Sequence, residues 1–273
     1  MSRLFGWIDV ETRREILIET QVGEVMRSSP PTISSSDLAT RAREVARSTG
    51  LQSLPVTKDG RLEGVVTSRD LLHITSTRSN IPVLGLMTPP IIVATPEWSI
   101  AKLARKTIQA DISLVPVTQS STDKSLLGVV RLEDVLEKIS EAPEDGPKVK
   151  DVMSREVITC NPKDRVTRVW NIMEETNFSG IPVTQKQKVI GMITRSDIIK
   201  SGKARLATES EGGRTPPKVE TLMKSPPRTI KADKSINKAI QLMVGQNIGR
   251  LPIVEDEKLI GILDREDVIK PYL

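Results

Sequence analysis

The chain of 273 residues holds one cysteine, Cys160, one histidine, His73, and six aromatic residues. A single cysteine excludes a disulfide within the chain and fits a reducing compartment. One cysteine and one histidine cannot supply a Cys/His metal site, nor a Ser-His-Asp or Cys-His catalytic group with any redundancy. Cys160 reads as a small buried hydrophobe, and His73 as an ordinary helix residue. The scarcity of aromatics leaves the cores to aliphatic side chains and argues against single-strand binding on stacked rings. The longest greasy stretch, Ile81–Ala94, is broken by Pro82, Pro89 and Pro90 and falls short of the roughly 20 residues a bilayer needs. The first ten residues lack the basic start and apolar run of a signal peptide. The protein is therefore expected to be soluble and cytoplasmic, with no membrane contact.

Charge is present but balanced, with 40 Lys and Arg against 35 Asp and Glu. A net charge of +5 has two readings. One is plain solubility; the other is nucleic-acid binding, kept as a secondary reading. No zinc-finger, helix-turn-helix or aromatic RNP-type motif accompanies the charge, and the clustering at Lys148–Lys150 with Arg155 is interrupted by acids.

What the chain does have is internal repetition. Met26, Met87, Met153 and Met223 each precede a proline by 29 residues: Pro55, Pro116, Pro182 and Pro252. Each proline precedes an aspartate, Asp70, Asp134, Asp197 or Asp267, by 15, 18, 15 and 15 residues. The odd value reflects extra residues within Gln119–Lys124, where a turn accepts an insertion. Between proline and aspartate, apolar and β-branched residues flank a polar turn, which is the pattern of an antiparallel hairpin. Gly64, Gly128, Gly191 and Gly261 interrupt the second strand, where a missing side chain implies close backbone approach.

Each unit thus reads as a short leading strand, helix, strand, strand and short helix. The helix stripe is clearest at Val166, Val169, Trp170 and Met173, and at Ile236, Ala239, Ile240 and Met243. Ile100, Leu103 and Ala104 keep it, while Thr107 weakens it. In the first unit Arg43 falls in the stripe, so the pattern predicts a rotated face of Leu38, Ala42 and Val45. Expected boundaries are an N-terminal appendage helix over 1–21, with Val10, Ile16 and Ile18 inward on the first module. Units follow at 22–74 and 83–139, a linker at 141–148, and units at 149–201 and 219–273. Residues 202–218, rich in Gly, Ser, Thr, Pro and charge, read as a loop.

Four copies of Met…(Leu/Ile/Val)-Pro-(Val/Ile)…Gly…Asp, over residues 22–273, resemble the CBS domain, and the chain is similar to the γ subunit of AMP-activated protein kinase and its free-standing prokaryotic relatives. The resemblance implies an α+β fold of four CBS repeats arranged as two Bateman modules (22–140 and 149–273), small β-sheets packed with helices. It also implies a non-catalytic sensor, with no required cofactor, that binds AMP, ADP or ATP in clefts between repeats and signals to a protein partner not identified by sequence. A homodimer is compatible with it.

In that family the aspartate of Thr/Ser-x-x-Asp holds the ribose hydroxyls, which suits a group with two acceptor oxygens. The threonine meets phosphate at a helix start. The resemblance places these roles on Thr67 and Asp70, on Thr194, Arg195 and Asp197, and on Asp134 and Asp267. Arg131 and Asp264 replace the threonine in the last two. The residues before each proline, here Ser179, Gly180 and Ile181, and Gly249 and Arg250, line the adenine pocket; Ile158 and Thr159 form its opposite wall. A second reading stays open, since Thr-x-x-Asp is close to a capping box that only satisfies helix-end amides. The histidine and arginine that grip phosphates in the kinase relatives have no counterpart at Gly245–Asn247 or its equivalents. That departure counts against a triphosphate and leaves room for adenosine monophosphate or an uncharged-tail ligand such as S-adenosylmethionine or methylthioadenosine.

Overall fold

The structure, a computed structural model, describes residues 2–72, 80–142, 146–201 and 216–273. His73, the side chain of Val10, part of the linker and most of the 202–218 loop lie outside the described residues.

The hairpin is the unit of construction. In the third repeat β7 (Gly180–Gln185) pairs antiparallel with β8 (Lys188–Thr194), so that Gly180 faces Thr194 and Pro182 faces Met192. Lys186 and Gln187 close it at φ 50 and 68. A two-residue left-handed turn matches the twist of the flanking strands. β9 (Arg250–Glu255) and β10 (Lys258–Asp264) repeat this through Asp256 and Glu257, and β3 (Ser53–Lys58) and β4 (Arg61–Thr67) through Asp59 and Gly60. The second repeat, β5 (Val115–Thr118) and β6 (Leu126–Val130), spends its extra residues on a side-chain-bonded turn. There the Ser120 hydroxyl accepts from the amides of Thr122 and Asp123.

The strand glycines show which repeats pair. A Cβ on Gly64 would lie 3.0 Å from Met87 Sδ and 2.9 Å from the Thr88 carbonyl. One on Gly128 would lie 2.7 Å from the Arg27 carbonyl, beside Met26. Gly191 meets Met223 and the Lys224 carbonyl, and Gly261 meets Met153 and the Ser154 carbonyl, all at 2.9 Å. Each signature methionine therefore sits on the glycine of the other repeat, reciprocally between repeats 1 and 2 and between repeats 3 and 4. The residue after the methionine bridges to the same strand: Arg27 faces Val129, and Lys224 bonds to Met192 in both directions. This exchange is the physical basis of two modules, and it makes the glycines obligatory through lack of space.

The helices join the modules. They are α3 (Ala39–Thr49), α5 (Ile100–Ala110), α8 (Val166–Thr176) and α10 (Ile236–Gly245), with short helices α4 (Ser68–Leu72), α6 (Leu132–Ile139), α9 (Arg195–Ser201) and α11 (Arg265–Ile269) after the hairpins. Two apolar cores result, and each crosses from module to module. One combines repeats 1 and 3, through Val56, Leu71, Trp170 and Ile198. The other combines repeats 2 and 4, through Leu103, Leu136, Ile240 and Tyr272.

Two expectations about helix faces are corrected. In α3 the buried residues are Ala39, Ala42 and Ala46, while Leu38 is 41 % exposed. The stripe is not rotated, because the Arg43 guanidinium leaves the apolar face by donating from Nε to the Leu71 carbonyl at 2.9 Å. In α1 (Ser2–Glu19) Ile18 is 56 % exposed, and Arg13 and Leu17 are buried instead. Arg13 donates to Asn237 Oδ1 at 2.8 Å, to the Tyr272 hydroxyl at 3.0 Å and to the Ile139 carbonyl at 3.3 Å. Its guanidinium also lies 5.1 Å from the centre of the Tyr272 ring. The appendage helix thus ties repeat 2 to repeat 4 and contacts both modules, where a purely hydrophobic stripe had placed it on the first alone. Thr107, which weakened the α5 stripe, is buried with its hydroxyl donated to the Leu103 carbonyl at 2.8 Å.

Candidate functional site

Each repeated aspartate stands at the start of the short helix that follows β4, β6, β8 or β10. One oxygen of each closes that helix end. Asp70, Asp134, Asp197 and Asp267 accept on Oδ2 from the amides of Thr67 (2.8 Å), Arg131 (2.8 Å), Thr194 (3.0 Å) and Asp264 (2.9 Å). The hydroxyls of Thr67 and Thr194 donate to the same oxygens and accept from the aspartate amides at 3.3 and 3.1 Å. Helix capping is therefore present at all four positions, and it uses half of each carboxylate.

The other half differs among repeats. Asp134 Oδ1 accepts from Arg27 Nε at 2.5 Å, and Asp197 Oδ1 pairs with Lys224 Nζ at 3.2 Å. Both cations directly follow a signature methionine, so each reaches over from the paired repeat. At Asp70 and Asp267 the corresponding positions carry Thr88 and Ser154, and Oδ1 has no partner among the described residues. Asp134 is buried; desolvation pushes its carboxyl above the ordinary range, against the lowering pull of Arg27. Desolvation raises Asp267 most, the nearby Asp264 carboxylate adds to it, and the group stands at about 6. Lys224 is 76 % exposed at its side chain, so its hold on Asp197 is readily displaced.

Part of the expected adenine wall comes together. Arg250 Nη1 donates to the Ser179 hydroxyl. A Cβ on Gly180 would lie 3.4 Å from Thr194 Cγ2 and 3.6 Å from Arg250 Nη1. Ser179, Gly180, Thr194 and Arg250 thus lie together in the second module. In the first module Ser53 and Ser113 meet in the same way at 3.3 Å. Burial lowers the Arg250 pKa, opposed by Asp264, whose carboxylate is 3.8 Å away.

Other expected residues stand elsewhere. Ile181 is buried in the repeat 1 and 3 core. Ile158 and Thr159 are exposed and outside any strand; the leading strand of this repeat is the single bridge from Cys160 to Val183. Gly249 packs under Arg265, whose Nη1 would lie 2.8 Å from an added Cβ. Arg195 is buried, donates to the Phe178 carbonyl at 3.1 Å and to Asn177 Oδ1 at 3.4 Å, and fastens the end of α8. Arg27, Lys224 and Glu133 were not singled out from sequence. The residue one past each methionine was the available signal for the first two.

A family profile described as CBS domain matches residues 22–76, 83–141, 149–203 and 219–273. The chain belongs to the CBS domain family. Protein MJ1225 of Methanocaldococcus jannaschii is 24 % identical over 244 residues, spanning 80 % of this chain and 86 % of that one. The crystal structure of MJ1225, described as a proposed archaeal homologue of the kinase γ subunit, superimposes with a TM-score of 0.80 at 21 % identity, covering 93 % of this chain and all of that one. A conserved protein of Pyrococcus horikoshii superimposes at 0.64 with 18 % identity over 93 % of this chain and 100 % of its own. The inosine-5'-monophosphate dehydrogenase of M. jannaschii is 32 % identical over 146 residues, which is 53 % of this chain and only 27 % of the enzyme. The CBS repeats, and the mixed α+β fold of four of them in two Bateman modules, are thus established. Among the described residues no helix is long and apolar enough to cross a membrane.

Proposed function

We propose that this CBS protein is a non-catalytic regulatory sensor of adenosine-containing ligands, AMP, ADP or ATP, held in clefts between repeats. The observation that carries this is the half-used carboxylate of Asp70. Its Oδ2 caps α4, while Oδ1 has no partner among the described residues and can accept from a ribose hydroxyl. Asp267 also has an oxygen not used by its helix cap, and ribose donors would relieve its crowding by Asp264. Asp197 joins them once Lys224 swings away, whereas Asp134 is the least available. Methylthioadenosine and S-adenosylmethionine are the alternative ligands, favoured by the lack of a phosphate-gripping histidine before the proline strands.

Binding alters regulation only if the ligand prefers one arrangement of the modules. Both cores cross the module boundary, so a change of arrangement would be felt across the chain and read by a protein partner. The setting proposed for this is the cytoplasm.

Titration calorimetry with AMP, ADP, ATP, S-adenosylmethionine and methylthioadenosine tests the reading, with Asp70→Asn as the decisive variant. Asparagine keeps an oxygen for the Thr67 amide and replaces the ribose acceptor by a donor. Loss of one or two charge-assisted bonds, each about 1.5–3 kcal/mol, predicts a drop in affinity of about tenfold or more at that cleft with the melting temperature nearly kept. No heat with any titrant at millimolar concentration, or full affinity in Asp70→Asn, overturns it.

A further inference from the structure

Beside the Asp134 cleft three arginines from both modules surround one carboxylate. Glu133 Oε1 pairs with Arg131 Nη2 and lies 3.8 Å from Arg27 Nη2, and its Oε2 is 3.2 Å from Arg265 Nη1. Arg27 and Arg131 belong to the first module and Arg265 to the second. Each guanidinium brings five N–H donors. Against them stand Glu133 and Asp134, and one Asp134 oxygen is already taken by the Arg131 amide. The cluster is short of acceptors, and the Nε groups of both Arg131 and Arg265 are buried without a hydrogen-bond partner. Next to it a cavity of about 210 Å³ opens between α6 and α10, lined by Arg27, Leu136, Glu137, Met243, Asn247 and Arg265. Drug-sized ligands occupy roughly 300 Å³ or more, so this space suits a small anion and not a whole nucleotide.

The geometry points to Glu133 as an internal anion, holding the guanidiniums of Arg27, Arg131 and Arg265 and excluding a phosphorylated ligand from them until it leaves. A phosphoryl or pyrophosphoryl group offers more oxygens than a carboxylate and can satisfy several guanidiniums at once. Glu133 is then the residue that sets specificity at this cleft, favouring ligands without a phosphate. Release of its bond to Arg265 also removes an ion pair that spans the modules. Glu137 on the cavity wall adds a second negative charge that an incoming anion must face. The adenosine reading identifies only the other end of the ligand; the competition for the arginines stands on the cluster alone.

The test uses inorganic pyrophosphate, which has no adenosine, titrated at fixed ionic strength into the full chain. Glu133→Gln should bind pyrophosphate at least tenfold more tightly than the unaltered protein, and adding Arg265→Gln should remove that gain. Circular-dichroism melts check folding. If Glu133→Gln does not fold, Glu133→Asp draws the carboxylate back by one methylene and should still give several-fold tighter binding. Equal or weaker pyrophosphate affinity in a folded Glu133 variant, or a gain that survives Arg265→Gln, overturns the proposal. AMP, ADP, ATP, S-adenosylmethionine and methylthioadenosine are titrated separately. Silence with all five together with a pyrophosphate gain sinks the adenosine reading and keeps Glu133 as the internal anion; binding of any of them without a pyrophosphate gain does the reverse.

Discussion

Arg13→Ala should measurably destabilise the fold through the N-terminal helix. The side chain is fully buried, and its guanidinium donates to acceptors in two repeats that include Asn237 Oδ1, the Tyr272 hydroxyl and the Ile139 carbonyl. Hydrogen bonds from a charged group contribute about 1.5–3 kcal/mol each, so the gross loss is on the order of 5–8 kcal/mol. Removing the arginine also removes the penalty of burying a charge, itself several kcal/mol. The net is about 2–4 kcal/mol, because Asn237 and Ile139 stay buried and lose a partner that water cannot easily replace. For a chain of this size each kcal/mol moves the melting temperature by about 2–4 °C, so calorimetry should show a fall of roughly 5–12 °C. A double-mutant cycle with Asn237→Ala sharpens the test, since groups in one network couple by about 0.5–3 kcal/mol. An Arg13→Ala melting temperature within 2 °C of the parent, or strict additivity with Asn237→Ala, would refute the assignment of α1 as the tie between repeats 2 and 4.

Gly128→Ala should destabilise by about 2 kcal/mol or more in urea melts, since its Cβ would meet the Arg27 carbonyl at 2.7 Å. Gly245→Ala, with nothing within 4 Å, should be neutral or stabilise by up to about 1 kcal/mol. Asp267 has a folded pKa of about 6 against an ordinary 3.8, so the native state binds the extra proton and its contribution to stability falls as pH rises from about 4 to about 6. Asp267→Asn keeps the cap acceptor and should gain on the order of 1 kcal/mol over the parent at pH 7 and nothing at pH 3.5; an equal effect at both pH values would contradict it. Cys160, its thiol pushed up to about 12 by burial, should react with a disulfide reagent at pH 8 only when the chain is unfolded.

Much of the architecture was legible because it is local and repeated. The interval from methionine to proline, the hairpins and the strand glycines are properties of one repeat, and four copies confirm one another. The pairing of methionine with the glycine of the other repeat follows from the same residues, but only once the backbones are brought together. The faces of α1 and α3 were misjudged for a common reason: an arginine stood in each pattern. Hydrophobic periodicity treats arginine as surface, whereas Arg13 is fully buried among three acceptors and Arg43 is half-buried against a carbonyl. The site was half legible. The recurrence of Asp70, Asp134, Asp197 and Asp267 was plain, and so was their likeness to helix caps. What distinguishes the four is supplied across the module by the residue after each methionine: Arg27, Thr88, Ser154 or Lys224. Those positions carry no repeat signature, since they differ in every copy. Four copies of one motif therefore make four unequal sites, two with an internal cation on the aspartate and two without one among the described residues. If the proposed sensor function holds, the expected outcome is occupancy by fewer than four ligands, which the calorimetric stoichiometry would read, and its source is residues outside the motif.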